Sequence, residues 1–187
     1  MEVMRLDKHY LQHLTPGNDR NVILEDLMNE FGNDIWNFAF FLTRKSEVAD
    51  DIAQDVFLAV YERMYTFRGE CSIKSWLLTI TRNKSMSYLK SSFIRKVKLM
   101  EAIVHQNTAP SAESELFDRQ AAREVWEAVM SLPVKFREVI VLDFHYGLPI
   151  KEIASMLQLS EGTVKSRSYR ARNKLTRLLE HVKELSR

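Results

Sequence analysis

The stretch Leu148–Leu179, LPIKEIASMLQLSEGTVKSRSYRARNKLTRLL, decides how the whole chain is read. Ile150, Ile153, Ala154 and Leu157 recur at helical spacing with Lys151 and Glu152 pointing away, which predicts a first short helix. Pro149 suits its first helical position, where a missing N–H costs nothing. Gln158-Leu159 leaves room only for a turn. Ser160 then stands where an N-cap belongs, and Glu161 favours the positive end of the next helix dipole. That second helix turns Val164, Ala171, Leu175 and Leu178 inward. It shows Lys165, Ser166, Tyr169, Arg170 and Asn173 outward, with Arg167 and Lys174 beside them. The pattern is a helix-turn-helix whose second helix is built to lie in a DNA major groove.

The competing interpretation is an ordinary helical hairpin with a solvated basic face. Two features argue against it. From Ser160 to Arg187 there are eight Lys and Arg residues against three Glu. The outward face also offers short polar and aromatic groups among the cations, which can read base edges rather than only touch phosphate.

Composition narrows the class. The chain has 187 residues and a net charge of only +2, so a nucleic-acid signal must come from where the charge sits. The single cysteine, Cys71, excludes an internal disulfide framework and a cysteine-based zinc site, and fits a reducing compartment. His9 and His13 are spaced i, i+4 without a third ligand nearby, so no metal site is expected. No apolar run reaches the length of a membrane span, and the first residues lack a signal-peptide core, so the expected location is the cytoplasm. With 5 Gly, 4 Pro and no alternating strands, the expected class is all-α, two small helical domains joined by a flexible linker.

In chain order, a polar lead-in ends in the turn signal Thr15-Pro16-Gly17-Asn18. A helix is predicted from about residue 22 to 43, with Ile23, Leu24, Leu27, Met28, Phe31, Ile35, Phe38 and Leu42 as its core stripe. A second runs from about 46 to 64, capped by Ser46 and buried along Val48, Ile52, Ala53, Val56, Phe57, Val60, Tyr61 and Met64. Its opposite face carries Asp50, Asp51, Gln54, Asp55 and Glu62 with Leu58 set among them. A leucine in an acidic face points either to plain solvent exposure or to a protein partner with a basic surface.

A loop with an exposed-looking aromatic, Phe67, leads to a third helix predicted over about residues 73 to 90. From Cys71 to Met100 there are seven basic residues and no acidic one. An aromatic that can accept a stacked base, beside cations that follow phosphates, suggests a second nucleic-acid surface. His105 to Ser114 has little to bury and reads as the linker. A further helix, from about 134 to 146, should turn Phe136, Val139, Ile140, Leu142 and Phe144 mostly inward and end at Gly147. The domains are thus expected at 1–100 and 116–187, with the linker at 101–115.

Taken together, these motifs resemble the extracytoplasmic-function (ECF) subfamily of bacterial sigma-70 factors, over about residues 22 to 179. Asp51 to Phe57 (DIAQDVF) looks like the family's polymerase-binding helix. Phe67 to Leu77 (FRGECSIKSWL), followed by Ile80, Arg82 and Asn83, looks like its promoter-melting segment. Leu132-Pro133, Arg137, Glu152-Ile153-Ala154 and Gly162 to Arg167 (GTVKSR) look like its promoter-binding helix-turn-helix. The resemblance implies a dissociable subunit giving core RNA polymerase its promoter specificity, of the stress- or envelope-responsive kind.

Asp51, Gln54, Asp55 and Leu58 would then dock on the clamp of the polymerase's largest subunit. Phe67, Ser72 and Asn83, with Lys84 and Lys90, would take the downstream element as single strand. Lys165, Ser166, Tyr169 and Arg170 would read the upstream element as duplex, with Arg167 on phosphate or in packing. The resemblance also implies an anti-sigma factor, membrane-anchored in some cases. No cofactor, small-molecule substrate or catalytic residue is expected.

The chain departs from the family at Ser87 and Lys90, where Asp and Arg are usual, and at Pro149, where Ser or Thr is usual. The alternative function is a stand-alone helix-turn-helix regulator, which would bind a pseudo-palindrome without polymerase. An enzyme is disfavoured, because no phosphate loop, nucleophile arrangement or metal cluster can be found in the sequence.

Overall fold

A computed structural model describes residues 19–100 and 120–185, with only the backbone described over 94–100, 120–122 and 181–185. The lead-in turn at Thr15–Asn18, the two spaced histidines and the linker expected at 101–115 lie outside the described residues. The chain divides into two compact units, Met1–His105 and Gln106–Arg187. Among the described residues all regular structure is helical, and no helix is long and apolar enough to cross a membrane.

Among the described residues the first unit is built on three α-helices, α1 (Arg20–Thr43), α2 (Ser46–Arg63) and α3 (Ile73–Met100), with a short 3-10 turn, Met64–Thr66, after α2. Asp19 opens α1, its carboxylate accepting from the Asn21 N–H at 2.8 Å. The helix stops at Arg44, a left-handed residue (φ 61°) whose N–H reaches Phe40 O at 2.7 Å. Ser46, expected to cap α2, is instead its first helical residue; the cap position is Lys45, which makes no side-chain bond.

Leu27, Ile35, Phe38 and Leu42 of α1 are fully buried with Ala49, Val56 and Val60 of α2 and Leu77 and Leu78 of α3. Met28, expected in that core, is exposed at 47%. The inner face of α3 also carries small hydroxyls. Thr81 donates to Leu77 O at 2.9 Å and Ser85 to Thr81 O at 2.8 Å, so both sit fully buried with their polar groups satisfied inside their own helix.

The second unit holds α4 (Gln120–Ser131), α5 (Val134–Ile140), α6 (Ile150–Leu157) and α7 (Glu161–Leu185). Arg137 is 2% exposed because it serves the end of α4: its guanidinium donates to the carbonyls of Met130 and Leu132, which the helix itself leaves without partners. The helix expected from 134 to 146 does not run through. It widens at Val141–His145 into a π-turn, closed by Tyr146 N–H to Val141 O at 3.0 Å. That widening shifts the phase of the face, so Phe144, expected inward, stands 61% exposed. Gly147 (φ 62°) then turns the chain toward α6.

Candidate polymerase and nucleic-acid interfaces

The turn between α6 and α7 forms as its residues dictate. Gln158 takes the left-handed conformation (φ 55°), Leu159 N–H returns to Ala154 O at 2.9 Å, and Ser160 Oγ accepts from Thr163 N–H at 3.2 Å. Pro149 is the N-cap residue of α6, one position before the first helical position expected for it. Val164 and Ala171 are fully buried, which seats α7 against α5 and α6, whereas Leu178, expected inward, is 38% exposed.

With that seat fixed, Lys165, Ser166, Tyr169 and Arg170 all face solvent, Tyr169 at 61%. These four form one outward surface of alternating cation, hydroxyl and aromatic. Arg167 does not join them. Its Nη1 lies 3.4 Å from Oε1 of Glu138, a carboxylate only 3% exposed on α5. The neighbouring Ser168 donates to Asp143 Oδ2 at 2.9 Å. Arg167 was expected on phosphate or in packing, and its pairing with Glu138 of α5 favours packing.

On the first unit, Asp51, Gln54, Asp55 and Leu58 are all exposed on one face of α2, and Leu58 keeps 64% of its surface. Asp50, on a neighbouring line, is tied to α1 through Trp36 Nε1–H at 2.6 Å. Asp55 Oδ2 lies 3.3 Å from Lys84 Nζ on α3, so a residue expected to dock on protein and one expected to touch DNA form an ion pair. An open groove of about 610 Å³ runs between these helices, with Asp51 and Asp55 on one wall and Asn83, Lys84, Ser87 and Tyr88 on the other.

The residues expected at the downstream element are not gathered at one point. Ser72 is an N-terminal cap of α3, its Oγ accepting from Ser75 N–H at 3.0 Å. Asn83 and Lys90 are exposed further along the same helix. At about 1.5 Å per residue, Ser72 to Lys90 spans about 27 Å of helix axis, a strip that suits an extended strand rather than a pocket. The exposed aromatic expected at Phe67 is absent. Its ring is 7% exposed and packs on Trp76, centroids 5.3 Å apart at 53°, because the loop folds back onto the start of α3. The signal lies outside the loop: Phe67 joins the buried core of the first unit, and Trp76 packs on its ring.

Comparison with known proteins matches a family to each of the two units. The family described as Sigma-70 region 2 matches residues 27–92, and that described as Sigma-70, region 4 matches residues 122–175. The RNA polymerase sigma factor SigZ of Bacillus subtilis is 30% identical over 157 residues, covering 84% of this chain and 87% of that protein. The ECF RNA polymerase sigma factor SigM of Mycobacterium tuberculosis is 32% identical over 158 residues, covering 84% and 78%. Among solved structures, the sigma factor RpoE of Bartonella quintana, in complex with the anti-sigma factor NepR, superposes with a TM-score of 0.71 at 25% identity. That match covers 87% of this chain and 98% of the other. CnrH, in complex with the cytosolic domain of CnrY, gives a TM-score of 0.62 at 26% identity, covering 88% and 91%.

Proposed function

This chain belongs to the sigma-70 family of RNA polymerase sigma factors, in its ECF branch, and from that premise we infer how its residues divide the work of transcription initiation. A sigma factor binds core RNA polymerase and directs it to promoters. Here Asp51, Gln54, Asp55 and Leu58 dock on a basic polymerase surface, the clamp of the largest subunit. Lys165, Ser166, Tyr169 and Arg170 read the upstream element in duplex form. Asn83, Lys84 and Lys90, with Ser72 at the helix start, follow the downstream element as single strand. Phe67 drops out of that set because its ring is covered.

The observation that carries this division is Leu58, 64% exposed among carboxylates on a helix whose other face is fully used by the core. An exposed leucine ringed by one sign of charge suits an interface with an apolar centre and complementary charge around it. The protein acts in the cytoplasm, is not an enzyme, and uses no cofactor or small-molecule substrate. An anti-sigma factor, membrane-anchored in the envelope-responsive case, holds it inactive; the complexes of RpoE with NepR and of CnrH with CnrY support that reading. The test is a duplex-binding and run-off transcription assay with and without core polymerase. Specific initiation should require both components. Tight sequence-specific binding to a palindromic site by the chain alone would favour the stand-alone regulator.

A further inference from the structure

Lys135 stands in the first turn of α5, outside the helix-turn-helix. Its Nζ lies 5.3 Å from the centroid of the Phe136 ring, and Phe136 is itself 8% exposed and therefore fixed. A cation resting on an immobile ring is held in place more firmly than a lysine extended into solvent. The two residues line an open pocket of about 520 Å³ together with the start of α7, notably Ser160, Thr163, Ser166 and Arg170.

The lining has a consistent chemistry. Lys135 and Arg170 bring positive charge from two different helices, three hydroxyls surround them, and among the described residues no carboxylate lines the space. Arg167 also borders the space, but its guanidinium is already engaged by Glu138. Cations and hydroxyl donors around an open void suit an anionic phosphate oxygen. Ser166 and Arg170 belong both to this pocket and to the outward reading face. A duplex whose base edges meet that face would bring its adjoining backbone to the pocket mouth.

We propose that Lys135 holds one backbone phosphate of the upstream promoter duplex, so that α5 grips the DNA alongside the recognition helix. This rests on the assignment of the second unit as the upstream-element binder. Lys135 is then a positioning contact: it sets where the recognition helix lies along the duplex without reading sequence.

The test uses the full chain assembled with core RNA polymerase, and duplexes selected from a randomised pool by the wild-type holoenzyme. With Lys135→Gln, the slope of log affinity against log salt should fall by about one unit while re-selection returns the same sequence. The wild-type advantage should narrow about threefold between 50 and 200 mM salt. A methylphosphonate scan should find one phosphate whose neutralisation makes wild type and variant bind equally. An unchanged salt slope in Lys135→Gln would overturn the proposal and leave the upstream assignment standing. So would a changed base preference, since Lys135 would then be a reader. If the wild-type holoenzyme selects no sequence, the upstream assignment fails and the proposal falls with it.

Discussion

Arg167 of the recognition helix reaches back to Glu138 of α5, with 3.4 Å between Nη1 and Oε1, and Glu138 is 3% exposed. One residue on, Ser168 holds Asp143 of the π-turn at 2.9 Å. Two consecutive residues of α7 are therefore polar ties to the elements behind it, while their neighbours on either side face outward. The ties fix the helix in rotation as well as in position, which apolar contacts at Val164 and Ala171 alone would do less sharply.

Replacing Arg167 with Ala should therefore destabilise the second unit. A buried carboxylate that loses a charged donor costs about 1.5–3 kcal/mol, and the 27% exposure of the arginine side chain places this case toward the lower end. Thermal unfolding should show the loss, with Arg167→Lys recovering part of it. Holoenzyme binding should weaken for all promoter sequences in similar proportion. A selective loss of preference at one base pair would instead make Arg167 a reader.

Phe67 gives a second stability prediction. Its ring is 7% exposed against Trp76, so Phe67→Ala removes a core side chain and should cost about 3–5 kcal/mol. Initiation should then fall alike on a linear duplex and on a template with a pre-melted bubble, tracking the melting temperature. Recovery on the pre-melted template alone would mean that the ring leaves the core to meet an unpaired base.

Phe67 and Arg167 also mark where sequence reasoning reaches its limit. Periodicity placed α1, α2 and the helix-turn-helix within a few residues, because amphipathic spacing and local caps are properties of adjacent positions. Gln158 and Ser160 behaved as expected for the same reason. Whether Phe67 is buried depends on how its loop joins the core beside Trp76, and whether Arg167 packs or meets phosphate depends on Glu138, 29 residues away. Phe144 illustrates a third case. Its inward placement assumed 3.6 residues per turn, and the π-turn at Val141–His145 breaks that period without an obvious local signal. Of the proposed docking face, Leu58 was legible as an oddity among carboxylates, whereas the Asp55–Lys84 pair joins two helices and was not.

That pair shapes the third prediction. Asp55→Arg should abolish pull-down of core polymerase, because a like charge against a basic partner costs several kcal/mol at an interface. The exposed pair with Lys84 contributes little to stability, so circular dichroism and melting should barely change. Lys84→Ala separates the two roles: it removes the same ion pair but should leave polymerase binding intact. If Lys84→Ala and Asp55→Arg lose core polymerase equally, the ion pair matters and direct docking by Asp55 does not.

The fourth prediction separates readers from positioners along α7. Lys165 is exposed in the first turns of the helix, the part that enters a major groove, and its ammonium can donate to the O6 and N7 acceptors of guanine. Arg177 is exposed twelve residues further on, about 18 Å along the axis, so in the proposed docking it meets phosphate rather than base edges. Lys165→Ala should cost about 1–3 kcal/mol at one base pair and relax preference there. Arg177→Ala should weaken all sequences about equally and lower the salt slope by about one unit. Both effects can be measured with the holoenzyme on a set of singly substituted upstream elements at several salt concentrations. If Lys165→Ala loses affinity uniformly with its base preferences unchanged, Lys165 is a phosphate anchor, and base reading passes to Ser166, Tyr169 and Arg170.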